Sequence, residues 1–505
     1  IIFSMFLKKH KMEIGARFLG FILLCVKWIT APFYFTWVHQ SVKTLPPINN
    51  PIILISATAL AKKIRKKELS SEEVIKAYIA RLTEINPFLN AIVEELKESC
   101  SVKGMGKCVG SLPRYGIIAD NDGAAVSLLR KAGAIPLLIS NTPEYCLSWE
   151  TSNLVTGRTV NPYNPLRSPG GSSGGEAALI GAGASVAGVG SDIAGSIRIP
   201  AMFSGIYGHK PTPGYVSIEG HFPNANDPKF SEYLTIGPIV RYAEDIRTML
   251  TVITFEEKCH RANLKVKVDL HKLKVYYMDT AGYSFVMVPV EDAIKKAIHT
   301  AAEHLHEKYG IPINEGGFKE MEDTAEISMA MFFGLEDIPN VLDDTAVLHQ
   351  NNESRNLFLE VLKSVFGMSK FSFSVLIFYC LIATNGFIPK KNYKYYCEQN
   401  EALKKKFINV LGDNGVFLYP SYPTAAFCHN QSYSKAAGVV YSMIFNVMGL
   451  PTTHVPLGLD KEGMPIGFQV VAAPHQDRLC LAVAEALEKD LGGWVPPSSV
   501  QCADS

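Results

Sequence analysis

The chain reads as an α/β protein, a sheet covered by helices on both faces, with a hydrophobic anchor in front of it. Three features carry that expectation. Helical periodicity alternates with short apolar runs, no repeat or interdomain linker follows residue 51, and a long apolar stretch stands near the N-terminus.

The apolar stretch runs over 21 residues, Phe18 to Val38, behind a basic flank of Lys8, Lys9, Lys11 and Arg17. A bilayer core needs roughly 20 apolar residues in a helix, so residues 1–44 are expected to form a single-pass endomembrane anchor. Lys27 and Pro32 weaken that expectation, and the loop charges leave orientation open. Residues 45–505 then form the globular part. After the Pro/Asn-rich linker Leu45–Pro51, Ser70 and Glu73 make a capping box, and Val74, Ile75, Tyr78, Ile79 and Leu82 form an apolar helical face. Residues 124–139 read as a helix, a glycine stop at Gly133, and a buried strand over Ala134–Ile139. Glu291–Tyr309 is a further helix, and Val416–Tyr419 and Ile466–Val471 are buried strands. Phe371–Pro389 is apolar too; a second span would divide the globular part across the membrane, so an interfacial cap or plain core is expected.

Composition excludes several classes. With 47% hydrophobic residues, 19% charged residues and a net charge of +1, the chain is globular and no nucleic acid partner is indicated. Ten cysteines without a C-x-x-C or a pairing rhythm read as free thiols, neither a disulfide framework nor a zinc site. His299, His304 and His306 share one helix without H-E-x-x-H spacing, and read as a polar face. No metal and no cofactor are expected.

Ser168–Gly214 carries the chemistry. Twelve of its 47 residues are glycine, yet they are threaded with Ala, Ile, Val and Leu, which marks a packed segment rather than a linker. It contains neither a P-loop nor a dinucleotide fingerprint. What it offers is Ser172, Ser173 and Ser196 on tight glycine turns beside backbone N–H groups, the parts that acyl transfer needs. GGSSG also fits the G-x-S-x-G elbow with Ser172 as nucleophile, but that elbow needs a strand leading in, and NPYNPLRSP contains three prolines.

GGSSGGEAAL followed by GVGSDIAGSIRIPA resembles the amidase signature family. RYAEDI, DNGVFLYPSYPT and GLPTTHVPLGLDKEGMPIGFQVVA are similar to its membrane-bound fatty-acid amide hydrolases. The resemblance implies the amidase signature fold, with a central mixed sheet. It also implies a Ser–Ser–Lys triad that cleaves fatty-acid amides through an acyl-enzyme, with esters open. Its nucleophile maps onto Ser196, its bridging serine (on a cis peptide) onto Ser172, and its base onto Lys97 rather than the solvated Lys103. Oxyanion donors map onto the N–H groups of Ile193, Ala194, Gly195 and Ser196, and the acyl wall onto Cys146 and Ser148. Ser173, Asp192 and Arg198 are expected to hold the loops. Ala194 replaces a usual glycine, which strains the turn by about 1 kcal/mol if its φ is positive. The implied partners are a lipid amide and the membrane; a homodimer is compatible with the resemblance.

One departure is large. Relatives separate Asn90–Val93 from the lysine by a few tens of residues that include a strand, whereas here Glu94-Glu95-Leu96 runs straight into Lys97. A shortened segment removes the support of that lysine, so a catalytically impaired form or splice form stands as the alternative to a working amidase.

Overall fold

The computed structural model describes residues 44–93, 101–282, 287–338, 342 and 356–501. Phe18–Val38 and Lys97 lie outside the described residues.

Ten strands are described, in chain order β1 (Ser152–Asn153), β2 (Gly157–Arg158), β3 (Ala187–Asp192), β4 (Tyr207–Lys210), β5 (Thr235–Val240), β6 (Lys274–Tyr277), β7 (Ile313–Glu315), β8 (Gly415–Tyr419), β9 (Thr452–Leu459) and β10 (Pro465–Ala472). β1 and β2 form a small antiparallel pair, and the other eight make one sheet in the order β3-β5-β4-β9-β10-β8-β6-β7. Contacts from β3 through to β8 are antiparallel, and β8–β6 and β6–β7 are parallel, so the sheet is mixed as expected. Every residue of β4, β5, β8 and β10 is buried. Side chains alternate between the faces of a strand, so burial of both sets requires cover on both faces. Helices Arg198–Phe203, Ala243–Ile253, Asp292–Tyr309 and Asp477–Leu491 pack onto the sheet.

Several local expectations hold. Ser70 caps helix Ser71–Leu89 reciprocally with Glu73, Glu291 precedes helix Asp292–Tyr309, and the two C-terminal apolar runs are β8 and β10. The first helix buries Tyr78, Leu82, Ile85 and Leu89, while Ile79 faces solvent, so the apolar stripe is rotated from the one expected. The seven cysteines among the described residues are free thiols.

One expectation needs correction. Ala134–Ile139 forms no strand: only the isolated bridge Ile92–Ser140 marks its end, and Ile135 and Leu137 are 57% and 36% exposed. Pro136 removes one ladder donor and no neighbouring strand is described beside the segment, so Ile135 and Leu137 stay exposed while Leu138 and Ile139 pack into the core. Phe371–Pro389 agrees with the expectation of a cap or plain core rather than a second span: it holds an eleven-residue helix, Phe373–Ala383, and a 3-10 turn, Asn385–Phe387. No described helix is long and apolar enough to cross a membrane. Phe371, Val375, Leu376 and Tyr379 of this stretch are core, clustered with Val109 and Tyr145.

Because Ile135 and Leu137 already face water, Ile135→Ser and Leu137→Ser should each change unfolding free energy by no more than about 0.5 kcal/mol. Val470→Ala in β10, buried on all sides, should cost on the order of 2 kcal/mol. Urea denaturation checks both; a loss above about 2 kcal/mol at Ile135 would show that the segment is packed after all.

Candidate active site

The glycines of GGSSGG are there because another chain segment lies against them. A Cβ on Gly171 would sit 2.6 Å from the Ser148 carbonyl oxygen, on Gly174 2.2 Å from Thr151 Oγ1, and on Gly175 2.4 Å from the Asn141 backbone. Only a residue without a side chain permits that approach. The 141–151 segment is thereby pressed onto the serine loop, and the Gly171–Ser172 peptide between them is cis. Ser172 and Ser173 then lead into helix Gly174–Gly181, all of it buried.

The second serine loop follows a strand. β3 ends at Asp192, the chain turns through Ile193–Ala194–Gly195, and Ser196 precedes helix Arg198–Phe203. Gly195 takes φ +97°, and a Cβ there would meet Ser442 at 2.7 Å, so glycine is required. Ala194 is not among the residues with positive φ, and its replacement of glycine carries no strain. Its carbonyl accepts from Trp149 Nε1 at 3.3 Å. The N–H of Ser173 donates to the Ser196 carbonyl at 3.3 Å, which joins the two loops. Ser172 is 2% and Ser196 6% exposed.

Asp192 and Arg198 are fully buried and hold the turn, as expected of them. Asp192 Oδ1 accepts from the Gly195 N–H at 2.7 Å, and Oδ2 from the N–H groups of Ile197 (3.1 Å) and Arg198 (3.4 Å). Arg198 grips both oxygens, through Nε at 3.0 Å and Nη2 at 2.9 Å. Burial alone would raise the Asp192 carboxyl; Arg198, with help from Asn446 and Lys210, outweighs it and holds the group at about 2. The Gly195 N–H is therefore committed to Asp192, which corrects its expected place among the oxyanion donors. No protein acceptor is described for the N–H groups of Ile193, Ala194 and Ser196.

Behind the turn stand groups that sequence reasoning missed. Asn446 donates through Nδ2 to Asp192 and to the Tyr233 carbonyl, and accepts from Arg198. Gln469 of β10 accepts from Arg198 Nη1 at 2.8 Å. Lys210 of β4 is lowered to about 7, by burial first and by Arg198 second. Sequence gave no signal for Lys210, which stands between His209 and Pro211, nor for Asn446 and Gln469, whose bonds to Asp192 and Arg198 span 254 and 271 residues.

The remaining expected residues fall around this centre. Cys146, at φ +61°, packs with Phe371, Val375 and Tyr379. Ser148 lines a cleft of about 190 Å³ with Glu150, Phe373, Asn430 and Tyr433. Lys103 is exposed, its backbone N–H donating to Asp122 Oδ1 at 2.8 Å. Ser101, four residues beyond Lys97, donates through its N–H and Oγ to the Gly220 carbonyl. A strand–turn–helix surrounds Ser196, whereas residues 161–171 before Ser172 form turns and one isolated bridge, so the elbow rival loses its context. His299 and His304 pair with Asp279 and Asp490, and no group of three metal-binding side chains occurs among the described residues.

Comparison with known proteins places the chain in a family. Fatty-acid amide hydrolase 2-A of Danio rerio is 35% identical, over 95% of this chain and 97% of its own length. Fatty-acid amide hydrolase 2 of Homo sapiens is 36% identical, over 90% and 92%. The alignment with the Danio rerio protein runs over 524 positions, more than the chain can fill, so several tens of them face no residue here. A solved 6-aminohexanoate cyclic dimer hydrolase shares the fold with a TM-score of 0.68 at 21% identity, covering 87% of this chain and 97% of that one. A solved fatty acid amide hydrolase gives 0.69, at 23% identity and over 89% and 87%. The Amidase family model matches residues 56–481, and with these relatives it establishes that the chain belongs to the amidase family.

Proposed function

We propose that this amidase hydrolyses amides of fatty acids through an acyl-enzyme on Ser196, with Ser172 as proton bridge and Lys97 as base. The observation that carries the reading is the turn after β3. It presents a buried serine beside three backbone N–H groups without described protein acceptors, on a support that is itself fully hydrogen-bonded. Neutral Lys97 accepts a proton from Ser172 Oγ, Ser172 accepts one from Ser196 Oγ, and Ser196 attacks the amide carbonyl. The developing oxyanion takes donation from Ile193, Ala194 and Ser196. The proton returns to the leaving amine, and water releases the acid. Cys146 and Ser148 supply the wall for the acyl chain; the apolar cluster of Tyr145, Phe371 and Val375 behind Cys146 supports a long aliphatic substituent.

The same cluster continues into a surface suited to a bilayer. Helix Leu357–Val365 turns Leu357 and Val361 inward, while Phe358 (78% exposed), Leu359, Leu362, Phe366, Met368 and Phe373 face outward. So many large apolar groups side by side on one short helical hairpin fit an interfacial lipid contact that adds to the expected anchor.

A second reading, an impaired form of the enzyme, is favoured by one observation. Ile135 and Leu137 are exposed next to the Ile92–Ser140 bridge, and residues 94–96, after that bridge, are where the resemblance implies extra chain in relatives, as though a strand partner were missing. A lysine without that support is solvated and protonated at neutral pH, its pKa near ~10.4.

Ser196→Ala should remove fluorophosphonate labelling and lower turnover of a fatty amide by roughly four orders of magnitude or more without unfolding the chain. If Ser172→Ala is far more damaging, the nucleophile has been misassigned. Replacing Phe358, Phe366 and Met368 together by serine should weaken binding to phosphatidylcholine vesicles of a chain lacking residues 1–44; undiminished binding contradicts the interfacial surface. Inserting the relatives' extra segment ahead of Lys97 should raise turnover severalfold or more, and equal turnover of the two forms rejects the impaired reading.

A further inference from the structure

Resting on the acyl wall assigned above, we propose that Glu144 is a positioning residue that sets a preference for long acyl chains. Its carboxylate latches helix Phe373–Ala383 onto the turn that carries Cys146.

The wall turn cannot hold its shape alone. Glu144–Cys146 is a single 3-10 turn whose second and third residues are left-handed, Tyr145 at φ +53° and Cys146 at φ +61°. The Val109 carbonyl accepts from the Tyr145 N–H at 2.8 Å, and Val109 is itself left-handed at φ +46°. Three residues other than glycine in that region, one of them β-branched, hold strain that only their surroundings can maintain. Much of that support is apolar. Tyr145 is fully buried in one cluster with Val109, Phe371, Val375, Leu376 and Tyr379. The last three lie on helix Phe373–Ala383, so undocking the helix would strip the turn of its packing.

The helix in turn needs a cap that its own sequence does not supply. Ser372 stands at its N-cap and makes no side-chain capping bond, and the third helical position, where a capping box places glutamate, is Val375. The acceptor comes instead from 228 residues away: the Ser372 N–H donates to Glu144 Oε2 at 2.6 Å. A carboxylate at that end also meets the positive pole of the helix. Burial pushes the Glu144 carboxyl up, and the Ser372 N–H is foremost among the groups that pull it back. Its other oxygen, Oε1, completes no hydrogen bond of normal length, so the bond from Ser372 carries the attachment. The backbone of the turn follows, because the Glu144 carbonyl accepts from the Leu147 N–H at 3.1 Å.

A short acyl group ends near the nucleophile and does not draw on this arrangement. A long one runs past Cys146 towards Phe371, Val375 and Tyr379, which meet the wall only with the helix docked. The same helix closes the hairpin on which Phe358, Phe366 and Phe373 face outward. One buried bond thus ties the surface proposed for the bilayer to the wall of the acyl site.

The test is labelling of Ser196 in the full chain by a butyl and by an octadecyl fluorophosphonate, read as the ratio of the two rates. That ratio cancels the reactivity of Ser196 itself. Glu144→Ala should lower the long-to-short ratio about tenfold, the size of a lost buried bond to a charged acceptor. Glu144→Gln, whose amide oxygen can accept from Ser372, should restore most of it. Ser372→Pro removes the donor instead, at a position whose φ of −67° suits proline, and should lower the ratio in the same way. It carries the test if Glu144→Ala does not fold. Variants that label more slowly with both reagents at an unchanged ratio would overturn the positioning role. Equal loss in Glu144→Ala and Glu144→Gln would overturn the bond to Ser372 as its cause. An unsubstituted chain that labels at Ser196 without favouring the longer reagent would overturn the acyl preference. No labelling at Ser196 by either reagent would overturn the nucleophile assignment, and the role of Glu144 with it.

Discussion

The buried pair of Asp192 and Arg198 is the constraint on which the rest of the site depends. Two charges withdrawn from water are costly unless every lone pair and proton finds a partner. Here they do: Asp192 accepts from the backbone N–H groups of Gly195 and Ile197, and Arg198 spreads across Asp192, the Ser442 carbonyl, Gln469 and Asn446. These partners come from β3, from β10 and from helix Val440–Val447, so the nucleophile turn is fixed to three separate parts of the fold. Because Asp192 is held near 2, its contribution to stability is complete above the ordinary carboxylate range, near ~4, and is lost only as pH falls towards 2. The turn is therefore rigid wherever the enzyme can work.

That rigidity sets the geometry around it. Ser196 is presented on a turn whose Gly195 N–H is spent internally, which leaves the flanking N–H groups of Ile193, Ala194 and Ser196 as the proposed oxyanion donors. The glycines of the Ser172 loop let Ser148 and Trp149 approach, and Trp149 reaches across to the Ala194 carbonyl. The 141–151 segment thus braces the two serine loops, and its Cys146 and Ser148 are the proposed acyl wall. His221 adds a further tie one residue upstream of Asp192, at Ser191.

Much of this was legible in the sequence where the signal was local. The Ser70 capping box, helix Asp292–Tyr309 and strands β8 and β10 follow from periodicity, and the packed character of Ser168–Gly214 follows from its mixture of glycine with aliphatic residues. β3 and β5 were less visible. β3 reads AGVGSD, with too few β-branched residues, and Pro238 argues against a strand at β5. Pro238 is tolerated because β4 pairs with β5 only at Ile239 and Val240, leaving no ladder partner there on that side. Ala134–Ile139 misled for the opposite reason. Its apolar run is what a buried strand requires, but burial belongs to the neighbour as much as to the segment: Ile139, beside Ile92 and Val93, is buried, and Ile135 and Leu137 are exposed. The partners of Arg198, 244 and 271 residues away, lie beyond the reach of any local pattern.

The central claim, that one buried ion pair holds the nucleophile turn, is tested most directly by Asp192→Asn. This substitution keeps the shape and leaves Arg198 charged and uncompensated. Urea unfolding should show a loss of about 3–5 kcal/mol, and fluorophosphonate labelling of Ser196 should fall away under conditions where the chain is still folded. A variant that retains its stability and labels Ser196 at the unsubstituted rate would contradict the account.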